Sequence, residues 1–266
     1  MKRLLIGLVL AATASLAGCS TSSNKVTVCA SEIPHAEILN ECVKPLMEAK
    51  GYKLEVTVLD WTMQNDAVRN NEYDANYFEH MPYLNTYEHV SDLKMTAKVH
   101  YEPLGIYKGG ASSNTIEICN DTSNALRAFD LLKANGYLTT EGYRNGDELS
   151  FTGSTYTENG YTVTLISEEL LVASMQDYGL ACLPCNTAMT GNVTAAPLKT
   201  ESDPELVASK ANGLVCNKAK YESDTSYKEK IDILTDILLS KEVSVWVKTK
   251  YNQKITCDSS SQIDLR

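Results

Sequence analysis

The run VTVCASEIPHAEILNECVKPLMEAKGYKLEVTV, Val26 to Val58, decides the fold class. Val26 to Ala30 reads as a buried strand. Ile33-Pro34-His35 opens a helix whose apolar residues Leu39, Val43 and Leu46 recur at helical spacing, and Gly51 ends it. Leu54, Val56 and Val58 then alternate with Glu55 and Thr57, which is the period of a strand. Strand, helix and strand in this order make a βαβ unit, so the two strands are expected to be parallel and joined by a right-handed crossover.

Working outward, Ala97 to His100 and Leu104 to Tyr107 are strand-like. Gly109-Gly110 followed by Ala111, Ser112 and Ser113 reads as a linker, and a lobe boundary is expected there. A second βα unit begins at Thr115. TIEIC is its strand, Asn120 to Ser123 offers N-cap residues, and Leu126, Phe129 and Leu132 mark the buried face of a helix that stops at Gly136. The N–H groups that open this helix form an anion site, with Arg127 close by. Thr139 to Asn159 reads as a polar loop or small hairpin. A strand at Val163 to Ile166, a helix at Glu168 to Tyr178 and a strand at Leu180 to Leu183 follow it. The chain turns polar over Glu201 to Ala211, a return crossing, and ends with a strand at Gly213 to Cys216 and two amphipathic helices. The expected architecture is α/β with two lobes: residues 25–110 begin lobe 1, 111–205 form lobe 2, and 206–266 return to lobe 1. In such folds a ligand sits at the carboxyl ends of the strands, here in the cleft between the lobes.

At the N-terminus, Lys2 and Arg3 precede an uncharged apolar run from Leu4 to Ala17, which is too short to span a membrane and has the form of a signal peptide, residues 1–18. Leu16-Ala17-Gly18-Cys19 has the small residues that precede a lipid-modified cysteine. Cleavage before Cys19 and its acylation would leave residues 19–24 as a leash between membrane and domain, on the extracytoplasmic face. Loss of residues 1–18 removes Lys2 and Arg3 and no acid, so the net charge goes from −10 to −12. A chain this acidic has no basic surface with which to neutralise nucleic-acid phosphates. Of eight cysteines, seven remain once Cys19 is lipidated, and an odd number cannot all pair within one chain. Cys29 and Cys119 lie in apolar strands as small hydrophobes. Cys182 and Cys185 form a single CxxC, too little for a zinc site and without the flanks of a redox helix.

Tyr73 to Tyr83, YDANYFEHMPY, carries four aromatics, a His and a Pro in eleven residues. Asp74, Asn76, Glu79 and His80 alternate with Tyr77 and Phe78, so neither a helix nor a strand buries one clean apolar face. Two readings stand: a ligand-pocket wall, or a core strand end running into a helix that opens at Met81-Pro82. There is no GxSxG, HExxH, phosphate-binding loop or GxGxxG, so neither an enzyme nor a cofactor is expected. His35, His80, His89 and His100 have no pairwise spacing that fixes two of them on one helical face. The alternative to a small-molecule receptor is a metal-binding lipoprotein using His80 with other His or carboxylate ligands.

PHAEIL (Pro34 to Leu39), KPL (Lys44 to Leu46), DANYFEHMPYL (Asp74 to Leu84), VHYEPLGIY (Val99 to Tyr107) and NDTSNALRA (Asn120 to Ala128) together resemble the methionine-binding lipoproteins of ABC importers, the NlpA lipoprotein family. The resemblance spans nearly the whole mature chain in the same order. It implies a type II periplasmic-binding-protein fold that closes over L-methionine or a related amino acid and delivers it to a membrane permease. Phe78, His80 and Tyr83 match the family's pocket positions, with Tyr77 as a neighbour, and Trp61 stands where the family usually has Tyr. Arg127 matches the Arg that holds the ligand carboxylate, Asn124 lies on the same helical turn, and Asn212 matches a polar pocket position. Where the family has an Asn after an apolar strand, this chain has Pro184, and Asn186 two residues on is the candidate replacement.

Overall fold

The computed structural model describes residues 24–140, 143–144, 147–148 and 153–266. The signal segment and Cys19 lie outside them. β1 (Lys25–Ala30) leads into a helical stretch with π-type turns at Glu32–Ala36 and Ile38–Val43, continued by α1 (Lys44–Ala49), and then into β2 (Lys53–Val58). β1 and β2 are parallel, Val26 opposite Leu54 and Ala30 opposite Val58. Past α1, Gly51 takes φ of +81°, a conformation in which a Cβ would be strained. Asp60 caps α2 (Trp61–Arg69), accepting from the Thr62 N–H, and β3 (Ala75–His80) then joins the other side of β1 in parallel.

β3 unites the two readings of the aromatic stretch. All six of its residues are buried, and it runs directly into α3 (Met81–Leu84). It has no single clean apolar face, as its alternation of polar and aromatic residues indicated, because a central strand covered on both sides has none to choose. Its polar residues are linked internally: the Asn76 side chain donates to the Asn65 side-chain oxygen, and Asn65 donates to Glu79 Oε2, while Asn76 Oδ1 and Glu79 Oε1 stay buried without a partner.

β4 (Leu93–His100) completes the first pass through lobe 1, and β5 (Leu104–Lys108) already belongs to the second sheet. The crossing is therefore Tyr101-Glu102-Pro103, not Gly109-Gly110. Those glycines mark close backbone approach: a Cβ on Gly109 would lie 2.1 Å from the Tyr178 carbonyl oxygen. Lobe 2 continues through β6 (Thr115–Cys119), α4 (Thr122–Ala134), a hairpin of β7 (Tyr143–Arg144) and β8 (Asp147–Glu148), β9 (Thr155–Glu158) and β10 (Tyr161–Ile166). The helix expected over Glu168 to Tyr178 is broken into 3₁₀ turns around a short α5 (Leu171–Ser174). Ser174 Oγ bonds back to the Leu170 carbonyl, a contact that bends helices. β11 (Leu180–Pro184), α6 (Cys185–Thr190) and β12 (Lys199–Thr200) finish the lobe.

The chain returns through α7 (Pro204–Lys210) into β13 (Asn212–Asn217), followed by α8 (Lys218–Ser223), α9 (Thr225–Leu238), α10 (Lys241–Lys250) and β14 (Ile263–Asp264). The two sheets run β14-β4-β13-β3-β1-β2 and β12-β5-β11-β6-β10-β9. Each has a parallel centre, β2-β1-β3 or β10-β6-β11, and beside it one antiparallel strand that arrives from the other lobe, β13 or β5. β13 fits between β3 and β4 only because Gly213 lacks a side chain, since a Cβ there would meet the Ala97 carbonyl oxygen at 2.2 Å.

Both faces of each sheet are covered. In lobe 1, Val26, Val28 and Leu214 pack on Ile231, Leu234 and Val247, while Cys29 and Val215 pack with Val68 and Leu84 on the opposite face. In lobe 2, Ile116 and Ile118 pack on Phe129 and Leu132 of α4, and Ala181 and Leu183 pack on Leu171 and Met175. The seven cysteines among the described residues are all buried and unpaired with one another. Burial raises the thiols of Cys182 and Cys185, the reverse of what a redox CxxC needs.

Candidate functional site

The strand ends of both lobes meet at one cleft. From lobe 1 it is lined by Trp61 at the start of α2, by Phe78 and His80 of β3, by Tyr83 of α3 and by Asn212 at the start of β13. From lobe 2 it is lined by Asn124 and Arg127 of α4 and by Pro184 and Asn186 around the start of α6. Of the residues expected at the site, Tyr77 alone lies off the cleft. It is buried in the core of lobe 1 with Ile231, Leu234 and Val247, its hydroxyl bonded to His100 Nδ1, and the register of β3 against β13 shifts between it and the cleft-lining Glu79.

The lobe 1 wall is aromatic. Tyr83 stands edge-on to Trp61 at 5.3 Å between ring centroids and to Phe78 at 5.8 Å. His80 ends β3 and caps α3: its Nδ1 accepts from the Tyr83 N–H at 3.1 Å. In the neutral ring Nε2 then carries the proton and faces the Asn124 side-chain oxygen at 3.4 Å, across the cleft. Burial, then the charges of Arg127 and Lys210, hold His80 down to about 3, so it is neutral at physiological pH. With Nδ1 occupied and Nε2 protonated, His80 is poorly suited to hold a metal. Among the described residues, the two groupings with metal-like spacing are His35, His100 and Glu102, and Cys119, Asp121 and Glu168, neither of which includes it.

The lobe 2 wall is charged, and its centre differs from expectation. Arg127 is buried, and its guanidinium is already engaged: Nε donates to Glu201 Oε1 at 2.6 Å, and Nη2 donates to Glu201 Oε2 and to the Glu102 carbonyl oxygen. Glu201 also accepts from the Tyr101 hydroxyl at 2.7 Å and from the Leu104 N–H at 2.8 Å. Burial would lower the Arg127 pKa, but the Glu201 carboxylate outweighs it and raises it. The α4 N-terminus is likewise occupied, since the Asp121 side chain accepts from the Asn124 N–H at 3.0 Å.

Sequence reasoning missed the acids of the cleft. Glu79, Glu102 and Glu168 line it. Burial pushes Glu79 up to about 8 and Glu168 up to about 7, so both carry a substantial protonated fraction near neutrality. Asn186 contributes a buried side-chain oxygen with no hydrogen-bond partner. The cleft thus offers an apolar aromatic side and a polar side on which donors and acceptors converge, an arrangement suited to a small zwitterion with an apolar tail.

Residues 26–257 match the NlpA lipoprotein family. The chain belongs to that family. The methionine-binding lipoprotein MetQ of Bacillus subtilis is 28% identical over 95% of this chain and 97% of its own length. A crystal structure of a lipoprotein from Ruminococcus gnavus, 30% identical, superposes over 88% of this chain and 99% of its own with a TM-score of 0.75. A nutrient binding protein from Burkholderia cenocepacia bound to methionine has the same fold, with a TM-score of 0.74 over 87% of this chain and 99% of its own, at 22% identity. As in these structures, the two lobes form the type II periplasmic-binding-protein fold.

Proposed function

We propose that the protein is the lipid-anchored receptor of an ABC importer, which takes L-methionine or a closely related amino acid into the cleft and passes it to a membrane permease. The supporting observation is the pairing of walls across the cleft: Trp61, Phe78 and Tyr83 on one side, Asn124, Arg127 and Asn186 on the other. A thioether is polarisable and packs well on aromatic ring edges, so the aromatic side suits a methionine side chain. The ammonium and carboxylate of the same ligand fall on the polar side. The unpartnered Asn186 oxygen and Glu168 accept from the ammonium, and Arg127 and Asn124 face the carboxylate. Capture and release, rather than catalysis, is the role, with Cys19 acylated as the anchor. Among the described residues no helix is long and apolar enough to cross a membrane, which supports attachment through that lipid.

Native mass spectrometry of the purified protein, followed by calorimetry on ligand-stripped protein, tests the reading. An added mass equal to one methionine and stoichiometric binding of methionine are expected; no heat with any apolar amino acid would overturn it. Cys19→Ser with normal signal cleavage should release the protein from membranes, and unchanged retention would remove the anchor from the proposal.

A further inference from the structure

Beside the amino-acid cleft, and sharing Glu102 with its lining, three polar side chains converge in the interior of lobe 1. His35 follows β1, His100 ends β4 and Glu102 lies on the crossing, and they are 1%, 0% and 5% exposed. Nε2 of His35 lies 3.4 Å from Glu102 Oε1, Nε2 of His100 lies 2.7 Å from the same oxygen, and the two imidazole centroids are 4.9 Å apart. We propose that His35, His100 and Glu102 form a site for a divalent transition-metal ion of the zinc class.

The decisive residue is His35. Both of its ring nitrogens are buried without a hydrogen-bond partner, and the Glu102 contact is close without having hydrogen-bond geometry. Buried polar atoms are almost always satisfied, and an imidazole nitrogen left bare beside a second imidazole and a carboxylate is in the surroundings in which a cation satisfies it. The donor set is specific in its chemistry. Two imidazoles with one carboxylate suit zinc and its neighbours, whereas magnesium and calcium prefer all-oxygen ligands. Zinc bonds of about 2.0–2.2 Å put tetrahedral ligand atoms about 3.4 Å apart. The His35 to Glu102 distance already meets that spacing, and the His100 to Glu102 hydrogen bond has to open by several tenths of an ångström as the ion replaces it.

The surrounding residues supply the outer contacts that metal-ligating histidines use. The Tyr77 hydroxyl meets His100 Nδ1 and fixes the ring with Nε2 towards Glu102. On metal binding His100 keeps its remaining proton on Nδ1, where the Tyr77 oxygen accepts it. Glu102 also ties the ion to the crossing, since its carbonyl oxygen accepts from Arg127. The ion therefore holds Tyr101-Glu102-Pro103 in place. This proposal does not depend on which amino acid the cleft takes.

The test is a cobalt(II) titration of chelator-treated protein, followed by visible absorption. One equivalent should give the d–d bands of a low-coordinate imidazole and carboxylate site, displaced by one equivalent of zinc. Zinc should also raise the melting temperature. His35→Gln and Glu102→Gln should each weaken cobalt binding at least a hundredfold. Circular dichroism and metal-free melting identify a variant that fails to fold. The wild-type cobalt form provides a readout independent of variants: two paramagnetically shifted imidazole N–H resonances are expected in its proton spectrum. No d–d absorption, fewer than two such resonances, or unchanged affinity in a folded Glu102→Gln would overturn the proposal. So would an intense near-ultraviolet thiolate-to-cobalt band, which would place the ion at Cys119, Asp121 and Glu168.

Discussion

The two walls of the cleft are built on opposite principles. Lobe 1 presents rings, Trp61, Phe78 and Tyr83, together with a histidine whose proton is fixed by a backbone donor. Lobe 2 presents a buried ion pair, Arg127 with Glu201, and helix α4 with its N-terminus already capped by Asp121. The aromatic wall is stabilised by burial and survives loss of one contact. The charged wall depends on partners, because each buried charge is tolerable only while the other is present. Mutations should therefore separate the two: changes in the charged wall act on stability as well as binding, and changes in the aromatic wall act mainly on binding.

The largest effect belongs to Arg127→Ala. It would strand the Glu201 carboxylate in the interior and leave the Glu102 carbonyl without its donor, at a cost of about 3 to 5 kcal/mol in unfolding free energy without ligand. From sequence, Arg127 serves the ligand alone and its loss leaves ligand-free stability nearly unchanged. Urea unfolding of the ligand-free variant decides between the two: a loss below about 1 kcal/mol would mean that the pair is solvated. Glu201→Gln sharpens the comparison, since it keeps the volume and frees the guanidinium of its internal partner. Calorimetry should show methionine binding tightened about tenfold while stability falls, as expected when Glu201 competes with the ligand carboxylate for one fork. Weaker binding would mean that Glu201 orients Arg127 and does not compete.

A second contrast is in pH dependence. Glu79 is pushed up to about 8 by burial, against an ordinary value of 4.5. Between those values the folded protein keeps a proton that the unfolded chain has released, so stability falls as pH rises through this window and levels off above it. Glu168 and Glu117, both about 7 because of burial, act in the same direction. His80, held down to about 3, acts oppositely: its contribution is present above the ordinary value of 6.5 and is lost as pH falls towards 3. Glu79→Gln should remove part of the alkaline loss, giving a gain of about 2 kcal/mol at pH 8 relative to pH 5 when compared with the parent protein. Equal melting shifts at both pH values would show that Glu79 is ionised in the fold.

How much of this was legible follows from range in sequence. The βαβ units show in local periodicity, and β1, β2, β6 and α4 lie within a residue or two of where Val26 to Val58 and Thr115 to Gly136 place them. The lobe crossing was not legible at Gly109-Gly110, because glycine marks close packing as readily as a linker, and here it packs against Tyr178. Trp61, Phe78, His80, Tyr83, Asn124, Arg127, Asn186 and Asn212 were named from motif resemblance, and one cleft gathers all of them. Glu201 was invisible. It lies 74 residues from Arg127 in a polar stretch that resembles any solvated crossing, and only the return of the chain brings the two together. Tyr77 illustrates the complementary error. It sits within the aromatic motif, but it packs into the core of lobe 1, and the register shift that separates it from Glu79 leaves no trace in local sequence.

The smallest predicted effect tests Pro184, the position where the chain departs from its family's pattern. An Asn placed there could donate and accept, and from sequence alone Pro184→Asn is expected to tighten methionine binding by about 1 kcal/mol. The structure changes that expectation. Pro184 is buried at the end of β11, paired with Leu104, and its extended backbone leads directly into α6. Two residues on, Asn186 lines the same cleft with a buried side-chain oxygen that nothing in the protein satisfies. An acceptor in that condition is costly without ligand and is relieved by an ammonium, so Asn186 already does what an Asn at 184 would do. Asn186→Ala should weaken methionine binding by about 1 to 1.5 kcal/mol, and Pro184→Asn should change it by less than about 0.5 kcal/mol. Calorimetry on both variants and the double mutant checks this. Tighter binding in Pro184→Asn alone would return the role to position 184 and leave the Asn186 oxygen without a function in the cleft.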